Sequence, residues 1–147
     1  GAVGLGKAME LGRAGLATEI PRIKGMRDRM IKGMLELEET YLNGHPEKRL
    51  PHNAHFRFAH IEGEALLLNL DMMGLIASTG SACSSKSLKA SHVLLAIGLT
   101  PEQAHGSLRL TLGKGNTDGD VDFALDSVPK VVKKLRAMSP LGRKAGK

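Results

Sequence analysis

The sequence is poor in cysteine: its 147 residues contain only one, Cys83. A single cysteine cannot form an intramolecular disulfide, which excludes a small secreted domain held together by disulfide bonds. Aromatic residues make up only 3% of the chain, and Trp is absent. Few rings are therefore available to stack on the bases of single-stranded nucleic acid, which argues against that class of binding protein.

Long apolar runs are also missing, since none approaches the roughly 20 residues of a membrane span. The first residues, GAVGLGKAMELGRAG, lack the basic leader and apolar block of a signal peptide. They also begin without Met. We expect a cut or processed end, no membrane association and, by default, a cytoplasmic location.

The net charge of +6 is concentrated near the C-terminus. Seven basic residues and no acid follow Pro129, and the other 14 basic residues nearly balance the 15 acids. This distribution predicts a solvated helix end and a basic tail over residues 139–147. A tail that binds RNA or an acidic partner is the alternative.

Two helices are predicted in the first third of the chain. Apolar residues recur at steps of three and four between Thr18 and Leu42, as on one face of a long amphipathic helix. The segment NGHP, residues 43–46, ends it. Residues 1–15, rich in Gly and Ala, predict a shorter helix.

Three short strands are predicted further along, over residues 55–61, 75–79 and 107–113. Helices are expected between and after them, over residues 62–74, 87–98, 100–105 and 117–138. Thr100 begins a capping box with Gln103, Thr117 caps the last helix, and Pro129 predicts a kink in it. The fold class is therefore α+β, a short three-stranded sheet with helices packed on one side.

Cys83 lies in the segment STGSACSSKS, residues 78–87, where every neighbour is small or polar. A thiol reacts as the thiolate, which the cations of Lys86 and Lys89 and the start of the next helix would favour. The hypothesis is an exposed, reactive thiol on an easily moved loop. The alternative is an inert small residue.

Arg109 falls between Leu108 and Leu110 in the alternating segment SLRLTLG. An Arg that faces inward from a strand is costly unless it holds an anion, and its planar fork fits a carboxylate. An Arg109 that points to solvent from an amphipathic strand is equally compatible with the pattern.

The histidines do not predict a metal site. In HNAHFRFAH, strand alternation places His52 and His55 on opposite faces, and likewise His55 and His60, and no CxxC is present. The Gly-rich GKGNTDGD, residues 113–120, lacks the spacing of a phosphate-binding loop.

The segments STGSACSS and SLKASHVLLAIGLTPEQAHGSLRLTLGKGNTDGDVD resemble the C-terminal region of the NifS/IscS-type cysteine desulfurases. EGEALLLNL and YLNG, further upstream, resemble the same family, so the resemblance covers nearly all of the chain. The Gly-Ser-Ala-Cys-Ser form is similar to the long-loop group of that family.

The resemblance implies the small C-terminal domain of the type I aminotransferase fold, in homodimers that bind pyridoxal phosphate (PLP) in a large domain. It implies that Cys83 is the nucleophile that takes sulfur from cysteine as a persulfide, leaving alanine. Arg109 would hold the carboxylate of the substrate. Partners would be the PLP-binding large domain and an iron–sulfur scaffold protein or other sulfur acceptors, with Cys83 as a conceivable transient iron–sulfur ligand.

The sequence departs from the family in one respect. The PLP-binding lysine has a Ser-x-His-Lys context in the family, and no lysine in this chain has it. We therefore expect no cofactor-binding residue and no covalently bound PLP in this chain, and an isolated chain that is inactive. A non-catalytic sulfur-relay module that accepts persulfide sulfur from a separate enzyme is the alternative function.

The expected organisation has three parts. Residues 1–17 form an interdomain helix segment, residues 18–138 form the desulfurase small domain with the cysteine loop at 78–87, and residues 139–147 form the basic tail.

Overall fold

A computed structural model describes residues 1–79 and 90–139. Within these residues the chain forms helices and strands in the order α1 (Ala2–Leu35), β1 (Thr40–Leu42), β2 (Asn53–Phe58), α2 (Gly63–Asp71), α3 (His92–Ala96), α4 (Pro101–His105), β3 (Ser107–Thr111) and α5 (Asp118–Met138). The strands form one antiparallel sheet in the order β1-β2-β3. The predicted α+β class with a three-stranded sheet is confirmed. None of the helices in the described part of the chain is long and apolar enough to cross a bilayer.

One face of the sheet is apolar and forms one side of the hydrophobic core. Successive side chains of a strand point to opposite faces, and in β2 the buried residues are every second one. Phe56 and Phe58 of β2 and Leu108 of β3 are almost completely buried on this face. The same core includes buried residues of α1, α2 and α5, so these helices cover one side of the sheet.

The second half of α1 packs against the rest of the chain through methionines one turn apart, Met26, Met30 and Met34. Two arginines of the same helix bind the segment that leads into α5 and the start of α5 itself. Arg22 donates to the carbonyl oxygens of Lys114 and Asn116 at 3.0 and 2.8 Å, and Arg29 forms ion pairs with Asp118 and Asp122. The second half of α1 is thus held by apolar packing of its methionines and by the hydrogen bonds and ion pairs of its two arginines.

The first half of α1 extends away from this core. Its apolar side chains are largely exposed, among them Val3 at 89% and Met9 at 69%. The prediction of separate helices over 1–15 and 18–42 is wrong, because one helix runs from Ala2 to Leu35 and continues through Pro21. The apolar periodicity begins at Thr18 because the residues before it do not face this core.

The predicted strands are partly misplaced. The predicted helix 18–42 stops at Leu35, and its last residues form β1, which pairs with β2. The positive φ of Glu39, 51°, turns the chain between the two elements. The predicted strand 75–79 contributes only a bridge between Ser78 and Arg109.

The predicted helix caps are confirmed. The Thr100 side chain accepts from the Gln103 N–H while the Gln103 side chain accepts in return, and Thr117 forms the same reciprocal pair with Asp120. The second pair lowers the pKa of Asp120 by hydrogen bonding its carboxylate. The predicted helix 87–98 is shorter in its described part, where α3 runs from His92 to Ala96; residues 87–89 lie outside the described residues.

Two glycines allow the backbone of β3 to approach its neighbours. A Cβ at Gly106 would lie 2.4 Å from the carbonyl oxygen of Phe58 and 3.0 Å from that of Ile61. A Cβ at Gly63 would lie 2.6 Å from the carbonyl oxygen of His105. Because the contacted atoms are backbone, neither position can hold a side chain without moving the start of β3.

We expect Gly106→Ala to lower the free energy of unfolding by about 1–3 kcal/mol, the usual cost of overpacking. Gly115→Ala is the matched control, because a Cβ at residue 115 would meet no heavy atom of the described residues within 4 Å. Its effect should stay within about 0.5 kcal/mol. Urea denaturation of the two variants measures the difference. Equal stability of both variants would contradict the close approach at Gly106.

Candidate functional site

The face of the sheet opposite the core is polar. Asn53, His55 and Arg57 of β2 alternate with the buried residues, and Arg109 of β3 lies among them. All four are half-buried. The sequence pattern is compatible with an Arg109 that faces inward or outward. In the structure it faces away from the apolar core, on a polar surface shared by two strands.

Ser78 holds Arg109 at three points. The Arg109 N–H donates to the Ser78 carbonyl oxygen at 2.6 Å, and the Ser78 N–H donates to the Arg109 carbonyl oxygen at 3.2 Å. The guanidinium Nη2 donates to the Ser78 hydroxyl oxygen at 3.3 Å. One residue on, the Ser107 hydroxyl donates to the Thr79 carbonyl oxygen at 3.1 Å. Residues 78 and 79 therefore lie along the outer edge of β3.

The bridge at Ser78 brings the start of the cysteine segment to the candidate anion-binding side chain. Residue 80 is the first that the structure leaves undescribed, and Cys83 lies outside the described residues. The structure thus places one of the two predicted site residues, Arg109. For the other, Cys83, it places only residues 78 and 79 at the start of the cysteine segment.

His55 is the direct cross-strand neighbour of Arg109. Three positions along the same ladder, the Phe58 N–H donates to the Gly106 carbonyl oxygen at 2.8 Å, which makes that a hydrogen-bonded pair. The two kinds of pair alternate in antiparallel sheets, so His55 and Arg109 form a non-hydrogen-bonded pair, in which side chains approach most closely. The backbone of Arg109 can bond Ser78 for the same reason.

Burial, together with the positive charges of Arg109 and Arg49, lowers the pKa of His55 to about 4. The imidazole is therefore neutral at physiological pH. Its Nε2 atom is buried and has no hydrogen-bond partner among the described residues, and the same holds for Oδ1 of Asn53 on the same face. Buried polar atoms without partners are rare in folded proteins, so these two atoms mark this part of the sheet as a candidate binding position.

Two other arginines near His55 are already engaged. Arg49 donates to three backbone carbonyl oxygens, those of Asn43, His45 and Asn53. Arg57 donates to Oδ1 of Asn43 and lies 4.5 Å above the ring of Tyr41. The guanidinium of Arg109 donates one hydrogen bond within the described residues, to Ser78, so most of its fork is available to a ligand.

The sequence pattern assigns no role to His55, since it does not predict a metal site there, and it does not reveal the position of His55 beside Arg109. Alternation places each residue on the polar face of its own strand, but the register that pairs positions 55 and 109 is a tertiary feature. Within residues 1–79 and 90–139, no group of three or more His, Cys, Asp or Glu is placed to hold a metal ion.

The neutral His55 makes stability depend on pH. The unfolded chain binds a proton at this residue near pH 6.5 and the folded chain only near pH 4. The free energy of unfolding therefore has its full value above about pH 6.5 and falls as the pH drops toward 4. At about 1.4 kcal/mol per pKa unit, the loss amounts to about 3 kcal/mol. Urea denaturation at pH 7 and pH 4.5 measures it.

His55→Gln should reduce this loss, whereas the exposed His92→Gln should leave it unchanged. Comparing each variant with the wild type separates His55 from the carboxylates, which also titrate at low pH. An identical pH dependence in His55→Gln and the wild type would contradict the neutral, buried state of His55.

Comparison with known proteins gives consistent results. Residues 1–123 match the aminotransferase class-V family. The chain is 57% identical over 142 residues to "Cysteine desulfurase IscS 1" of Archaeoglobus fulgidus, a match that covers 97% of the chain and 37% of that protein. It is 54% identical to "Cysteine desulfurase IscS" of Methanosarcina thermophila, covering 96% of the chain and 35% of the relative.

Solved structures give the same fold. A "NifS-like protein" is 26% identical with a TM-score of 0.78, covering 91% of this chain and 33% of the other. The NifS-like protein from Rickettsia africae is 20% identical with a TM-score of 0.68, covering 82% and 31%, and shows the fold alone. The chain spans little more than a third of the length of the curated relatives. Since the family match covers most of its residues, the chain belongs to the aminotransferase class-V family.

Proposed function

We propose that this chain is the C-terminal part of a cysteine desulfurase, which converts cysteine to alanine and holds the sulfur as a persulfide on Cys83. The observation that carries the proposal is the bridge between Ser78 and Arg109, which joins the candidate carboxylate-binding side chain to the cysteine segment. The names of the relatives support it, since they are similar over nearly the whole chain. The same names do not favour a non-catalytic sulfur-relay module.

Covalent geometry limits how far Cys83 can lie from Arg109. Cys83 is five positions after Ser78 in the sequence. A fully extended chain covers at most about 3.5 Å per residue, so the two Cα atoms are no more than about 18 Å apart. This limit allows the Cys83 thiol to reach an amino acid whose carboxylate is held by Arg109.

The residues have distinct roles in this reaction. Arg109 binds the carboxylate of the substrate cysteine and orients it. The thiolate of Cys83 attacks the sulfur of the substrate, so that a sulfur–sulfur bond forms and the carbon–sulfur bond breaks. The carbon takes a proton and leaves as alanine, and Cys83 keeps the sulfur as a persulfide. Atoms balance without an external oxidant.

The described residues of the polar face do not fit a PLP site by themselves. Neither β2 nor β3 contributes a lysine or a carboxylate to the polar face, and PLP enzymes use a lysine for the Schiff base and an acid at the pyridine nitrogen. We propose that PLP, which stabilises the carbanion when it is bound, is held by a separate large domain. In the absence of that domain the chain is inactive.

The exposed apolar side chains of α1 support this division. Residues 1–17 are proposed as an interdomain segment, residues 18–138 as the small domain and residues 139–147 as a basic tail. The first segment carries exposed Val3, Leu5 and Met9, which another domain would cover. We further propose a cytoplasmic homodimer that passes sulfur to an iron–sulfur scaffold protein or another acceptor.

The first experiment measures the intact mass of the chain after incubation with cysteine and PLP. With a separately supplied PLP-binding domain of a relative, the wild type should gain one sulfur atom that a thiol reductant removes. Cys83→Ser should gain none and should fold as the wild type does. Sulfur loading without the PLP-binding domain would contradict the role assigned to that domain, and no loading with it would contradict the proposed function.

Arg109→Ala tests the carboxylate contact. A hydrogen bond to a charged group contributes about 1.5–3 kcal/mol, so the cysteine concentration for half-maximal loading should rise about tenfold or more. Arg57→Ala is the matched control, because it removes an arginine from the same face that is engaged with Asn43 and Tyr41. Unchanged loading in Arg109→Ala would show that the contact does not exist.

A further inference from the structure

We infer that His55 is the second carboxylate-binding residue of this site, and that its Nε2–H donates a hydrogen bond to the carboxylate held by Arg109. The inference rests on the proposed function, because it takes the ligand of Arg109 to be an amino acid. His55 adds a contact from the neighbouring strand to the one that Arg109 makes.

The position of His55 supports this role. His55 and Arg109 face each other as a non-hydrogen-bonded pair, so their side chains leave the sheet side by side on its polar face. A carboxylate has two oxygens and about four acceptor positions, more than one guanidinium edge can fill. An oxygen held by the fork of Arg109 therefore presents further lone pairs to the adjacent imidazole.

The buried ring nitrogen of His55 also supports it. Nε2 has no hydrogen-bond partner among the described residues. A buried polar atom without a partner is destabilising, and a hydrogen bond to a ligand removes that cost. A neutral imidazole has one N–H, and the tautomer with the proton on Nε2 makes this atom a donor.

The local charge favours an anion at this position. The charged groups that act on His55 are Arg109 from β3 and Arg49 from the segment before β2, both cations. A positive surrounding favours the carboxylate over the ammonium end of the same amino acid. The neutral imidazole can lie beside the two cations without repulsion and still donate to the anion.

The test uses NMR of the wild-type chain, without PLP or another domain, and so does not depend on desulfurase activity. The probe is L-alanine, which has the carboxylate of the substrate and no thiol, and sodium chloride at equal ionic strength is the control. Alanine should shift the His55 ring signals saturably and raise the His55 pKa, since a bound anion stabilises the imidazolium. Arg109→Ala should abolish the saturable shift, and Arg57→Ala should keep it.

Variants of His55 measure its share of the binding. His55→Leu should weaken alanine binding about tenfold, as expected for the loss of a hydrogen bond to a charged group. His55→Asn, which keeps a side-chain N–H, should bind alanine with an affinity between those of the wild type and His55→Leu. It also keeps the test valid where His55→Leu does not fold, and the exposed His92→Gln should bind as the wild type does.

The outcomes separate this inference from the proposed function. If alanine shifts the NMR signals of Arg109 while the signals and the pKa of His55 stay constant, the inference is wrong and the carboxylate contact at Arg109 stands. If neither residue responds at high millimolar alanine, the inference is wrong for this chain. If His55 responds as expected while Cys83 never gains sulfur, the carboxylate site stands and the desulfurase function fails.

Discussion

The register between β2 and β3 is the constraint on which the site depends. Because residues 55 and 109 form a non-hydrogen-bonded pair, the backbone of Arg109 has its N–H and C=O directed to the outer edge, where Ser78 bonds both. A shift by one residue would turn Arg109 into the apolar core and break the bridge to Ser78. The register thus determines the face to which Arg109 points, its pairing with His55 and the position of Ser78, where the cysteine segment begins.

The core protects this register. Phe56 and Leu108, neighbours in the ladder, are completely buried beneath the helices, so slippage would expose them to water. At the start of β3, Gly106 lies against the carbonyl oxygens of residues 58 and 61, a contact without room for a Cβ. The same sheet can therefore carry polar and half-buried groups on its other face, because its position is determined by the apolar one.

How much could be predicted from the sequence depends on the range of the interactions. The capping box at Thr100 and the helix cap at Thr117 are local, involve residues three apart, and match the prediction; the reciprocal contact of Asp120 with Thr117 was not predicted. The strand at residues 40–42 instead resembles the end of a helix in the sequence, because Tyr41 continues the apolar spacing of α1 while its pairing with β2 is set by residues 16 positions away. The neighbourhood of His55 and Arg109 joins residues still further apart, and no local pattern encodes it.

The polar face also shows why an arginine and a neutral histidine are compatible here. Burial disfavours the charged form of the imidazole and two neighbouring cations repel it, so the imidazole loses its proton while the arginines stay in place. The result is a neutral imidazole beside two cations, with a buried ring nitrogen that no described residue satisfies. The anion binding inferred for this surface would stabilise the folded chain by mass action, because the unfolded chain has no such surface, and ligand binding and sheet stability would then be coupled.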